Sequence, residues 1–566
     1  MGASVPKILA ASLFLAFIAG GTVFEQCVPA AAAENGNALK LGVVELSSMA
    51  DPARLTFGGM IRYTGMEPSA VVHGDSEADA TPVQSDSITS AKDENDGKQP
   101  DTADKEDASG EDNGGDSGSE GSSSRTTDAP GGAAFSLEGM AVLSHLVNTY
   151  REQDPSDANK KVEVRNRLKL KYGTDRLYVY AVPNAYFMTT FISEEIGRDY
   201  VYSEKTEVGR NLRLSTKASE LTFNELYLHY STDAFRLRLG NQIFAWGTAD
   251  AFNPTSYFNP FDAREFIFKE DDELNQGVPA ASGMFYIGNW VLEVVYVPVH
   301  VPMALPENDN FWFLRLTGMP LEAMVDDRGG MEMNGRNMAY GARFSGSVKG
   351  VDMSVSGYHG PDKEPVLVPS SVMFPPNEPV AIAVRPEYYI VNKMGFDAST
   401  SIDKFVVQCE MAYSPDKRGL EELPDDITGV SFPLPVKKSH YFSYSTGFNY
   451  FIPLNRVFEG HEGDTVFTFE WTQSLFFDRE LEEPMLSKLV STRIEDTYLD
   501  SHLKIKLTLI YETREWGYIF WPRVEWDFQN GLSVELAYAN ISGSEDSFMY
   551  YYRDNDIFMW KIRYSY

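Results

Sequence analysis

The stretch "VEVRNRLKLKY", Val162 to Tyr172, alternates two kinds of residue without a break. Val162, Val164, Leu168, Leu170 and Tyr172 share one parity, and Glu163, Arg165, Arg167, Lys169 and Lys171 share the other. A period of two places successive side chains on opposite faces of an extended strand, so one face is apolar and the other charged. A soluble sandwich or solenoid would turn the apolar face to a core. A transmembrane barrel would turn it to lipid and keep the charges around a lumen.

The alternation continues outward from this stretch. "FRLRLG" sets Phe235, Leu237 and Leu239 against Arg236 and Arg238, and "VFTFEWTQ" sets Phe467, Phe469 and Trp471 against Thr468, Glu470 and Thr472. "HLKIKLTLIY" sets Leu503, Ile505, Leu507 and Leu509 against Lys504 and Lys506, and similar runs occupy 405–413, 441–450, 524–528 and 532–538. Three features select the barrel. Several runs reach about ten residues, the length that crosses a bilayer obliquely. Full charges recur on a face that a dry core would not tolerate. Tyr and Trp gather near strand ends in "YYIV", "EWGYIFWPRVEW" and "FMYYYRD", as an interfacial girdle requires. The expected fold is all-β, a transmembrane antiparallel β-barrel of about 16 strands (range roughly 14–18) over 135–566, at about 27 residues per strand and connection.

Composition agrees. Aromatic residues make up 13% of the chain, with 30 Tyr and 35 Phe, which suits strands and membrane interfaces. The formal net charge of −33 argues against nucleic-acid binding. One segment carries much of it: between Glu67 and Asp128 stand 17 acidic and four basic residues. This tract, 66–134, has no Phe, Trp or Tyr, and is expected to be a disordered low-complexity insert because it has too little apolar surface to offset its ordering entropy. "DNGGDSGSEG" within it lacks the ligand spacing of a calcium loop. Residues 34–65 form an N-terminal segment with one candidate strand, "RLTFGGMIRYTG" (54–65). If both runs are barrel strands, the tract is a surface loop; if 54–65 lies ahead of the barrel, it is a periplasmic linker.

The first 33 residues have the pattern of a secretory signal peptide: Lys7, an apolar run from Ile8 to Val23, and an A-x-A site ending at Ala33. Cleavage there would leave Cys409 as the single thiol, so no internal disulfide is expected. At the other end, "FMWKIRYSY" places Phe558, Trp560, Ile562, Tyr564 and Tyr566 on one face. A closing strand cannot fray, because an open edge in lipid would leave backbone groups unpaired at several kcal/mol each. The run resembles the closing-strand signal that the barrel-insertion machinery of diderm bacteria reads, with Tyr where Phe is commoner.

The most distinctive run is "LRLGNQIFAWGTADAFNPTSYFNP" (237–260). Physically, Arg236 and Arg238 would line a lumen, Gly240 would permit a bend, and Trp246-Gly247 would end a strand at the interface. Asn253-Pro254 and Asn259-Pro260 are turn formers. The pattern of Arg238, Gly240, Gln242, Trp246, Gly247, Asp250, Asn253, Pro254, Asn259, Pro260 and Asp262 resembles a motif of Gram-negative outer-membrane barrels, the alginate-export-like and related porin-like families. The resemblance implies a porin-like barrel. The loop from Asp250 to Glu273 serves either strand termination alone or an inward fold that narrows the pore.

The functional expectation is an outer-membrane channel for passive or weakly selective passage of small polar solutes. A surface receptor or adhesin anchored by a barrel is the alternative from another class, and a barrel-embedded hydrolase is a third. The expected pore-lining residues are Arg165, Arg167, Lys169, Lys171, Arg236, Arg238, Gln242, Lys504 and Lys506. Their positive charge would attract anions, unless Glu163, Glu470, Glu525, Asp527 and Glu535 neutralise it. No catalytic or metal-binding spacing stands out, so no enzyme activity, cofactor or metal is expected. The expected partners are outer-membrane lipid, the insertion machinery, small polar solutes and a second copy of the chain.

Overall fold

The computed structural model describes residues 125–128, 133–150, 158–188, 201–203, 205–270, 273–308, 310–313, 321–325, 330–373, 380–421, 431–454, 464–482, 484, 486–545 and 547–566. Eighteen strands pair antiparallel in chain order. They are β1 Ala134–Asn148, β2 Asn159–Gly173, β3 Leu177–Met188, β4 Ser219–Ser231, β5 Phe235–Gln242 and β6 Val278–Ile287. Next come β7 Trp290–Val297, β8 Ala339–Val348, β9 Val351–Pro361, β10 Ile390–Ile402, β11 Phe405–Leu420 and β12 Val436–Ile452. The series ends with β13 Thr465–Phe476, β14 Lys488–Tyr498, β15 Leu503–Glu512, β16 Gly517–Asp527, β17 Leu532–Gly543 and β18 Ile557–Ser565.

The last strand closes the cylinder against the first. β1 pairs with β18 from Met140↔Ser565 to Asn148↔Ile557. Gly139 and Tyr566 then exchange both backbone hydrogen bonds, each 2.8 Å. A side chain at Gly139 could not exist there, because its Cβ would fall inside the Tyr566 ring. Where β18 stops, the short strand Arg125–Asp128 takes over, pairing with Ala134–Leu137. The end of the acidic tract is therefore a strand.

Two ends of the barrel differ. At one, strands turn through 174–176, 232–234, 288–289, 349–350, 403–404, 499–502 and 528–531. At the other, the long connections 189–218, 243–277, 298–338 and 362–389 emerge. The compact turns correct the expected strand number. Connections of two to four residues consume less chain than the assumed spacing, so the barrel has eighteen strands and not about 16. The signal-peptide region, the 34–65 segment and most of the acidic tract lie outside the described residues. The eighteen strands close without 54–65, and the tract joins the barrel at the short-turn end, where Ala134 begins β1.

The pleat sorts side chains as the alternation requires. Val164, Leu239, Val355, Met394 and Ile562 are exposed on the outer wall, whereas Lys161, Glu163, Arg165, Glu410 and Glu470 are buried inside. Aromatic pairs ring the outer wall near both ends. At the long-loop end are His145–Trp560, Tyr340–His359 and Tyr413–His440, and at the short-turn end Phe405–Tyr450, Trp290–Phe344 and His502–Trp526. A closed cylinder with an apolar exterior bounded by aromatic rings is what a bilayer requires of a spanning β-structure. One expected girdle run is displaced. "FMYYY" is a 3₁₀ turn at Phe548–Tyr552, and Met549 and Tyr552 are buried.

Candidate functional site

The 35-residue connection between β5 and β6 touches the wall on every side. Trp246 Nε1 donates to Glu293 Oε2 on β7 at 2.7 Å, and Tyr257 OH meets Ser356 Oγ on β9 at 3.2 Å. Glu265 reaches Lys161 on β2 at 2.8 Å, and Arg264 binds Glu220 on β4 through both guanidinium nitrogens, at 2.6 and 2.9 Å. Phe268 packs edge-on against Trp521 of β16, and Glu270 meets Arg563 of β18 at 3.0 Å. A segment in contact with strands around the whole circumference of a closed wall lies inside it. The 243–277 segment crosses the barrel interior.

Two wall carboxylates hold its centre. Glu410 on β11 accepts from the backbone N–H of Thr248 (2.8 Å), Ala249 (3.0 Å) and Thr255 (2.6 Å). Glu470 on β13 accepts from the N–H of Asp250 (2.7 Å), Ala251 (3.2 Å) and Phe252 (3.0 Å). Both side chains are essentially inaccessible, at 0% and 1% exposure. An irregular segment has no helix or sheet partner for its N–H groups, and inside a barrel it must find acceptors in the wall. A carboxylate is the strongest acceptor available, and bonds to a charged group contribute about 1.5–3 kcal/mol each.

The motif residues serve the same fold. Gly247 has φ of +102°, and a Cβ there would collide with Asn253 and Glu410. Asn253 donates to the Trp246 carbonyl at 2.7 Å and accepts from Thr255 and Ser256. Asn259 donates to the carbonyls of Gln242 and Gln276 and accepts from Phe244 N–H. Asp250 accepts from Gln408 and Asn449, and Pro260 offers its carbonyl to Gln276. Pro254 follows Asn253 in the turn. Burial would raise the Asp262 carboxyl, but Arg264, Lys269 and Arg213 outweigh it and hold it well below the usual carboxylate range.

Trp246 corrects an expectation. It is 2% exposed and packs edge-on against Phe258 at 5.0 Å, so Trp246-Gly247 turns into the interior and does not sit at a lipid interface. The cause is Glu293, which gives the buried indole N–H its partner. Gln242 is likewise buried, bonded to Ser282 and the Ala280 carbonyl.

The expected basic residues fall into distinct environments. Arg165 meets Glu270 (3.1 Å) and Glu273 of the crossing segment. Lys504 meets Glu525 (3.3 Å) and Asp527 (3.6 Å), and Lys506 meets Glu495 at 2.6 Å. Glu163 pairs with Lys161 (2.9 Å), and Glu535 with Lys561 (3.4 Å). Lys171 lies over Tyr178, Arg238 over Tyr227, and Arg236 Nη1 faces Met284 Sδ. Arg167 and Lys169 stand opposite Met140 and Glu138 in the β1–β2 register. Among the described residues Glu470 meets no cation; the crossing segment's N–H groups occupy it. Glu410, an acid on the inward parity of "FVVQCEMAY", is an anchor that alternation alone does not single out. Among the described residues, no cluster of His, Cys, Asp and Glu could hold a metal ion.

These features define the class: a closed eighteen-stranded β-barrel with a charged inner wall and one loop anchored across its interior. The chain belongs to the family described as "Protein of unknown function (DUF1302)", whose pattern it matches over residues 53–472. The match carries no alginate-export assignment. Among solved structures it is similar to OccAB1 of Acinetobacter baumannii, with TM-score 0.42 and 9% identity over 76% of this chain and 95% of that one. It is also similar to OccK5 (OpdH) of Pseudomonas aeruginosa, with TM-score 0.40 and 10% identity over 77% and 98%. A BenF-like porin from Pseudomonas fluorescens Pf-5 gives TM-score 0.42 and 7% identity over 77% and 98%. No curated protein matches the sequence.

Proposed function

We propose that this protein is an outer-membrane channel for small polar solutes, in which the 243–277 segment forms the narrowest section. The observation that supports it most is the anchoring of that segment to Glu410 and Glu470 inside a closed, charge-lined wall. A barrel that merely anchored surface loops has no need of a segment held across its interior, whereas a channel of eighteen strands is narrowed by one. The partners of this reading are outer-membrane lipid, the insertion machinery and the solutes. The purified protein in a planar bilayer is expected to give discrete single-channel steps. A correctly folded, membrane-inserted protein that carries no current would favour the receptor or adhesin.

A further inference from the structure

Two inward cations near the short-turn end rest on aromatic rings. Lys171 on β2 has its ammonium 4.5 Å from the centre of the Tyr178 ring, and the Arg238 guanidinium on β5 is 5.0 Å from that of Tyr227. The register places Lys171 opposite Tyr180, Tyr178 opposite His229, and His229 opposite Arg238. Two adjacent rows, Lys171–Tyr180–Tyr227 and Tyr178–His229–Arg238, together span four adjacent strands, β2 to β5. Tyr178 and His229 stack at 4.1 Å and 13°, and Tyr180 lies 5.3 Å from Tyr227. The acids around this sector are Glu138 on β1, Glu225 on β4 and Glu293 on β7, the last of which accepts from the Trp246 indole.

At other places on the inner wall, cations meet carboxylates: Lys506 with Glu495, Lys504 with Glu525, and Arg343 with Asp397 at 3.0 Å. Among the described residues, neither Lys171 nor Arg238 forms an ion pair, and Arg238 Nε is buried without a hydrogen-bond partner. The difference is physical. A carboxylate both orients a cation and cancels its charge, whereas a ring orients it through the quadrupole and leaves the charge in place.

We propose that these two rows form a subsite for the carboxylate of a small organic acid, an inference that rests on the channel reading above. The guanidinium fork matches the two oxygens of a carboxylate. Tyr178 already contacts Lys171 and His229, and Tyr227 already contacts Arg238 and Tyr180. Recognition therefore comes from charge and not from ring stacking, and an aliphatic acid suffices.

The test uses propionate and its neutral analogue propionamide on the full-length protein. In bilayers under a potassium propionate gradient, Lys171→Gln with Arg238→Gln should lower the propionate-to-potassium permeability ratio by about threefold or more. Lys506→Gln with Glu495→Gln, which removes a neutralised pair, should leave the ratio unchanged, and Arg238→Lys should retain most of it. An unchanged ratio in the first variant at normal unit conductance, or an equal fall in the neutral-pair variant, overturns the subsite. Binding to the detergent-solubilised protein by calorimetry separates this result from failure of the channel. If no current flows, the channel reading falls, and loss of propionate binding in the first variant still supports the subsite. Wild-type protein that does not distinguish propionate from propionamide overturns it.

Discussion

Two regions of the barrel interior use the same side-chain types for opposite purposes. Where the 243–277 segment crosses, the carboxylates of Glu410 and Glu470 are fully buried and spent on its backbone N–H groups. Phe266, Phe268, Trp312 and Tyr552 pack there as a solid would, with Phe266 stacked on Tyr552 at 4.6 Å. Near the short turns of β2–β5 and β14–β16, charges meet one another or aromatic rings along the wall. An inward charge in a barrel strand is therefore not by itself a mark of the solute path. What faces it decides: backbone donors make it an anchor, an opposite charge makes it wall structure, and a ring leaves it available.

The largest effect expected from this contrast comes from removing the anchors. Glu410→Ala with Glu470→Ala leaves six N–H groups without acceptors, at about 1–3 kcal/mol for each one left buried. The segment should detach while the strands remain paired. Amide exchange at Thr248–Thr255 should accelerate by at least about 100-fold, with β11 and β13 protected as before. Parallel loss of protection in those strands would mean that the carboxylates hold the wall and not the loop.

A smaller effect concerns His300, in the long connection after β7. Burial pushes its imidazole down to about 4, helped by Arg210 and opposed by Asp362. Met331 N–H donates to Nδ1 at 3.1 Å, and the ring lies 4.4 Å from Tyr388. The depressed value means that the unfolded loop binds a proton more readily than the folded one. The His300 contribution is thus full above about pH 6.5 and is lost as pH falls towards 4. Local opening of this connection, followed by limited proteolysis, should rise between pH 7 and 4.5, and His300→Asn should flatten that slope. Equal slopes in both proteins would remove His300 as the cause.

The wall was legible in sequence and the anchors were not. Alternation from Val162 to Tyr172 and the apolar parity of Phe558 to Tyr566 report directly on which face meets lipid, because the pleat repeats every two residues. The Asn253 and Asn259 turns were legible for a similarly local reason. Glu410 was invisible because its partners are main-chain groups more than 150 residues away, and a backbone N–H leaves no trace in a sequence. Trp246 misled because a tryptophan just past a strand suits a girdle equally well. Only the fold brings Glu293 within reach of its indole.

The central claim is that the segment anchored by Glu410 and Glu470 sets the width of the pore. The most direct measurement is the single-channel conductance of the wild-type protein beside a variant in which 248–272 is replaced by a short Gly-Ser linker. Both proteins must first resist unfolding in detergent as closed barrels do. The account predicts discrete steps for the wild type and a several-fold larger unit conductance for the variant, since the conductance of a water-filled pore follows its narrowest section. Equal unit conductances in two folded barrels would contradict it.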